Sequence, residues 1–99
     1  MNSRRISKFP LGQCCMTPGI STLVEQHNLP IAEYLCRHQS GDWGDLDHED
    51  KQANDQALEE GTRIFSAYHF QPSADLRIEL WVITEADRSV TTVLLPDEY

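Results

Sequence analysis

From Leu76 to Thr84 the side chains alternate: Leu76, Ile78, Leu80 and Val82 fall on one side, Trp81 and Ile83 on the other. A period of two belongs to a β-strand and cannot be served by a helix. Such a strand needs neighbours, and the flanking segments supply them. Residues 63–70 and 89–95 are rich in β-branched and aromatic residues, which pack well on a pleated surface. Gln71-Pro-Ser-Ala-Asp75 and Glu85-Ala-Asp-Arg88 carry turn residues between them. Links this short join antiparallel strands. The C-terminal third therefore reads as a three-stranded antiparallel meander, stopped by Pro96.

Upstream the period lengthens. Thr17 can cap a helix that Pro18 opens, with Ile20, Leu23 and Val24 on one face and Asn28 at its end. A second helix starts near Pro30, buries Ile31, Tyr34 and Leu35 at i, i+3, i+4 spacing, and ends at Ser40-Gly41. The short gap between the two predicts a corner or hairpin. Asp47 can cap a third helix over residues 48–60, with Glu49 and Asp50 in its first turn and Gly61 at C′. Its apolar stripe is thin (Ala53, Ala57, Leu58), which puts it on the outside. Residues 11–16 are short and apolar enough for a buried strand, although Gly12 weakens it. The order is a short N-terminal strand, two to three helices and a meander. That is an α+β fold, expected as one domain over residues 1–99 with residues 1–8 flexible.

With 99 residues the chain has material for one core. Its net charge of −8 repels phosphate backbones and anionic lipid. Generic nucleic-acid and membrane binding are therefore not expected; a soluble protein or one with a basic partner is. No run approaches the roughly 20 apolar residues of a membrane helix. Pro10, Gly12 and Gln13 interrupt any apolar stretch behind the basic N-terminus, so no signal peptide is expected. Three cysteines, two of them adjacent, give neither a pairing pattern nor a CxxC spacing. They read as reduced thiols of a cytoplasmic protein.

Few constellations carry chemistry. Asp42, Asp45 and Asp47 surround Trp43 in a Gly-Asp loop, but their spacing is not that of an EF-hand. Capping and turn formation explain them, with Trp43 and Leu46 packed on the helices or the sheet. His27, His38, His48 and His69 have no partner at i+3 or i+4, so metal spacing is missing and no metal or cofactor is expected. His69, within a strand, is the best placed to act as a base. Cys15, close to a helix start, reads as core rather than as an activated thiol. Arg88, beside hydroxyls at a hairpin tip, has the chemistry to bind phosphate. No phosphate loop, GxGxxG, GxSxG or HExxH motif occurs.

Several strings resemble a known set of proteins. Phe9-Pro-Leu-Gly-Gln13, Thr17-Pro-Gly19, SGDWGDL at 40–46, Asp50-Lys51, Ser66-Ala-Tyr68 and the segment 81–99 with ITEADRSVTT are similar to small uncharacterised bacterial proteins of plasmids and integrative elements. These carry the labels "plasmid-related protein" or "type I restriction endonuclease subunit M". The resemblance covers residues 9–99 and brings no activity to carry over. The methyltransferase label fails physically, because a methylase needs a whole cofactor-binding α/β domain and a glycine-rich βα turn. Members of that set usually have plain apolar residues where this chain has Cys14-Cys15, which speaks against catalysis by either thiol. A weaker likeness is to barnase-like ribonucleases, which implies His69, Glu85, Arg88 and Thr91 as base, acid, phosphate clamp and hydroxyl donor.

The leading expectation is a non-enzymatic accessory protein of a mobile genetic element that binds a protein partner, with a basic partner favoured and a homo-oligomer left open. Asp42–Glu60 hold eight acids against Lys51 alone. The residues expected to carry binding are Asp42, Trp43, Asp45, Asp55, Glu59 and Glu60. The alternative is a small barnase-like enzyme that works from the C-terminal sheet.

Overall fold

The computed structural model describes residues 6–99, so most of the expected flexibility of residues 1–8 falls on residues 1–5, outside the described part. Lys8 is tied down, its N–H donating to Gln39 C=O at 2.8 Å. The elements are β1 (Gln13–Met16), α1 (Pro18–His27), α2 (Ile31–Gln39), α3 (His48–Glu60), β2 (Ile64–Ser73), β3 (Leu76–Thr84) and β4 (Val90–Leu94). A short 3₁₀ turn, Pro96–Glu98, follows.

The helix ends follow local chemistry. Asn28 closes α1 in the left-handed region at φ 55°, and Gly61 closes α3 at φ 74°. The Asp47 side chain accepts from Asp50 N–H at 2.9 Å and so caps α3. Thr17 departs from expectation. Its hydroxyl does not cap α1 but donates to Glu98 Oε1, and Glu98 Oε2 accepts from Gly19 N–H at 2.8 Å. The cap of α1 is thus a carboxylate from the far end of the chain. Its charge suits the positive helix end better than a hydroxyl does.

The meander forms as β2-β3-β4, but the expected three-stranded sheet gains a fourth member. β1 pairs with β4 in parallel, giving one mixed sheet in the order β1-β4-β3-β2. A parallel neighbour needs a long crossover, and here the crossover contains all three helices and two strands. β2 also runs through Gln71 and Pro72 to Ser73, where a turn was expected. Its register shifts between Phe70 and Ser73, leaving only Ala74-Asp75 to turn the chain.

The helices cover one face of this sheet. Ile20, Leu29 and Tyr34 pack on Tyr68, Leu80, Val82 and Val93. A second cluster, Phe9, Trp43, Ala57 and Ile64, sits under α3. As expected for a thin stripe, α3 contributes little apolar surface. It docks instead through the buried Asn54, whose amide donates to Phe65 C=O and accepts from Phe65 N–H at 3.1 Å. The neighbouring outward backbone groups of β2, those of Ala67, bond to Asp45 N–H at 2.7 Å and to Trp43 C=O at 3.3 Å. Gly44 makes that approach feasible, since a Cβ there would run into the Ala67 carbonyl and the Tyr68 ring. The outer edge of β2 is thus covered at Phe65 and Ala67. No helix among the described residues is long and apolar enough to cross a membrane.

Candidate functional site

Along β2, β3 and β4 every second residue points away from the helices. The register aligns Phe65 with Ile83 and Thr92, and Ala67 with Trp81 and Leu94. No α-helix covers this row, but the 3₁₀ turn and Tyr99 reach it; Ala67, Ile83 and Leu94 are buried, and Phe65 and Trp81 are half-buried. Phe65 and Trp81 meet edge-to-face at 5.0 Å, and Trp81 meets Tyr99 at 5.9 Å. Arg63 lies 5.3 Å from the centre of the Tyr99 ring and donates to its hydroxyl at 2.6 Å. Two adjoining grooves result. One, of about 240 Å³, is lined by Arg63, Phe65, Trp81, Ile83 and Tyr99. The other, of about 260 Å³, shares Arg63, Ile83 and Tyr99 and adds Thr17, Glu85, Thr92, Leu94 and Glu98. Tyr99 is 69% exposed. Among the residues lining the two grooves, Arg63 is the one cation.

The face continues as a polar string. Trp81 Nε1 donates to Glu79 Oε2 at 2.9 Å, and Glu79 Oε1 lies 4.0 Å from His69 Nε2. His69 Nδ1 is 2.8 Å from Asp45 Oδ2. Two residues named separately from the sequence, His69 and Asp45, therefore meet.

The other named residues disperse. His69 pairs with Glu79 while Thr84 pairs with Thr91, so His69 and Thr91 lie on opposite sides of β3 and are offset by five residues, about 17 Å along the strand. Thr91 is wholly buried. The Arg88 guanidinium is spent on backbone: Nη1 donates to the carbonyls of Thr62, Glu85 and Ala86, and Nη2 to that of Ala57. These bonds hold Arg88 in the left-handed region at φ 62°. The guanidinium clamps the β3–β4 turn to the end of α3. Of the four residues implied as a catalytic set, Glu85 is the one that lines the second groove. His69, Glu85, Arg88 and Thr91 share no cleft.

The acidic loop is largely internal architecture. Asp42 holds Arg37 at 2.7 Å and accepts from Gly44 N–H at 3.2 Å. Trp43 is buried against Phe9 and His38, and Leu46 packs on the same cluster. Asp55 accepts from Trp43 Nε1 at 3.0 Å, so it is an anchor for the tryptophan rather than a bare surface acid. Glu59 and Glu60 are exposed. Among the described residues no group of three or more His, Cys, Asp or Glu side chains sits close enough to hold a metal ion. Cys14, Cys15 and Cys36 are exposed free thiols, so Cys15 is not the core residue expected of it. Burial and the neighbouring Cys15 push the Cys14 thiol above its ordinary value.

One internal group escaped the sequence reading. His38 is fully buried, with Nδ1 on Ser66 Oγ and Nε2 on Thr84 Oγ1 at 2.9 Å. Its protons can be placed by elimination. Thr91 must donate to Leu11 C=O at 2.6 Å, so it accepts from Thr84 at 2.7 Å. Thr84 then accepts from His38 Nε2–H, and Ser66 donates to Nδ1. Desolvation, aided by the charge of Arg88, lowers the His38 pKa to about 3. The Ser–His contact resembles a nucleophile and its base, but full burial and a threonine on the far nitrogen make it a structural relay. The signal was present: His38 extends the Ile31, Tyr34, Leu35 stripe by one turn. Comparison of the chain with family models, curated proteins and solved structures finds no match.

Proposed function

We propose that this chain is a protein-binding accessory module whose contact surface is the helix-free sheet face, and that it takes a segment with an apolar or aromatic anchor flanked by Lys or Arg. One observation carries the reading: Phe65, Trp81 and Tyr99 form an aromatic cluster that lines a groove on the sheet face no α-helix covers. Tryptophan, tyrosine and arginine dominate binding energy where they line a pocket. The partner's charge follows from complementarity. The chain carries −8, and Glu79, Glu85 and Glu98 border the grooves. The exposed Glu59 and Glu60 of α3 add long-range attraction, which acts mainly on encounter rate. The resemblance in residues 9–99 adds a mobile-element setting, and the free thiols agree with a cytoplasmic one.

Selection of a displayed random peptide library tests this. Enriched peptides should combine an aromatic or aliphatic anchor with basic flanks and should weaken as salt rises. Trp81→Ala should lower their affinity about tenfold or more, the size of a hot-spot truncation. Equal binding to Trp81→Ala would overturn the reading. So would preference for a single-stranded RNA, whose bases also stack on aromatic sheets.

A further inference from the structure

The two edges of the sheet are treated differently, and the difference points to a second copy of this chain. Over Phe65, Ala67 and the His69 carbonyl, β2 has its outward backbone groups satisfied by Asn54, Trp43, Asp45 and, at His69 C=O, the Tyr34 hydroxyl at 3.4 Å. β1 is the opposite edge. Its Gln13 N–H donates to Ser89 C=O and Thr17 N–H to Val93 C=O. By the alternation of a parallel ladder, residues 13, 15 and 17 face β4, and Cys14 and Met16 turn their N–H and C=O groups outward. Among the described residues no strand, loop or side chain pairs with that edge.

The edge also lacks the usual protection. Gln13, Cys14, Cys15 and Met16 are all exposed and uncharged, and no proline or bulge interrupts them. Charged or broken edges are how folds avoid pairing with one another. Beside the strand lies an apolar groove of about 180 Å³ lined by Cys14, Cys15, Met16, Ile31, Leu35 and Val93. No residue of the edge or the groove is charged, on a chain of net charge −8. A like-charged copy can approach here without bringing its acids together.

We propose that two copies pair through β1, antiparallel about a two-fold axis, to make one continuous eight-stranded sheet. The outward groups select the register. Cys14 opposite Met16 of the second copy, and the reverse, lets both outward residues exchange both of their hydrogen bonds. Centring on Cys14 instead would bring in Gly12, which has φ 67° and is not extended, and centring on Met16 would bring in Pro18, which has no N–H. The chosen register leaves Cys15 facing Cys15 of the second copy at a non-hydrogen-bonded position. There the Cα atoms lie about 4.5 Å apart, within disulfide range. Cys14 and Met16 share the helix-bearing face with Val93. Met16 of the second copy, on the same face, then fills the groove beside Ile31 and Leu35. This gives the 47% exposed Met16 an apolar site.

Sedimentation of the full chain over a concentration series in reducing buffer should reach twice the 11.3 kDa of one copy. Met16→Lys, which charges the edge, should return the mass to one copy with an unchanged circular dichroism spectrum. On the wild type, diamide should take two electrons and two protons from a thiol pair and leave a disulfide that maps to Cys15–Cys15. Cys15→Ser should lose that link and still dimerise. One-copy mass at every concentration, or a dimer linked through Cys14 or Cys36, overturns the proposal. The mapped link needs no variant, so it decides the matter even if Met16→Lys misfolds.

Discussion

The two tryptophans of this chain show how differently its two sides are used. Trp43, on the helix side, is 4% exposed, stacked near Phe9, and has its indole N–H on Asp55. Trp81, on the helix-free face, has its N–H on the exposed Glu79 and its ring against Phe65 and Tyr99 at the mouth of a groove. The first is enclosed by two helices and a loop. The second is held only by sheet neighbours and by the last residue of the sequence. The same side chain is thus stability on one side and available surface on the other. The helix side also keeps its polar groups internal, in the relay Ser66–His38–Thr84–Thr91–Leu11. On the open face the polar string ends in the exposed acids Asp45 and Glu79.

The largest test of that contrast is acid. Folded His38 takes up its proton only near pH 3, whereas an unfolded histidine takes it up near 6.5. Protons therefore favour the unfolded chain between those values. The contribution of His38 is complete above about pH 6.5 and falls by about 1.4 kcal/mol per pH unit below it, toward a total of about 5 kcal/mol. Urea unfolding at pH 7, 6, 5 and 4 should show the decline, with the imidazole still neutral by NMR at pH 5. Constant stability across that range would mean that the relay is open to water.

Next comes the pair of truncations. Trp43→Ala should cost about 3–5 kcal/mol, as for other large core truncations. Trp81→Ala should cost only about 1 kcal/mol, close to the mean of point mutants, while weakening peptide binding about tenfold or more. Thermal melts with both variants check this, and equal losses would dissolve the distinction between the two sides.

The smallest effect concerns the outer surface of α3. The acids Asp55, Glu59 and Glu60 invite neutralisation together, but Asp55 anchors Trp43 and must be left in place. Glu59→Gln with Glu60→Gln should keep the fold and raise stability by a few tenths of a kcal/mol, since Asp55 and Glu59 repel at i,i+4. Adding Asp55→Asn should reverse that gain. Association with basic peptides should slow at low salt in the double variant. An unchanged on-rate would assign the two acids to solvation alone.

What the sequence determined by itself was whatever depends on neighbours in the chain. Asp47 and Gly61 bound α3, Asn28 ends α1, and the alternation from Leu76 to Thr84 makes β3, because caps and pleats are short-range chemistry. The α+β class and the burial of Trp43 followed from that order. Tertiary structure decided the rest, because it joins residues far apart in the sequence that no local period encodes. Glu98 replaces Thr17 as the cap of α1, and Arg88 closes on the carbonyl of Ala57 instead of on a phosphate. Asp55 turns from surface acid to indole acceptor, and His38 finds its hydroxyls on two different strands. The parallel seat of β1 on β4 belongs with these. Its partner lies more than seventy residues along the sequence, so only the assembled sheet shows which edge is covered over its first residues and which is bare.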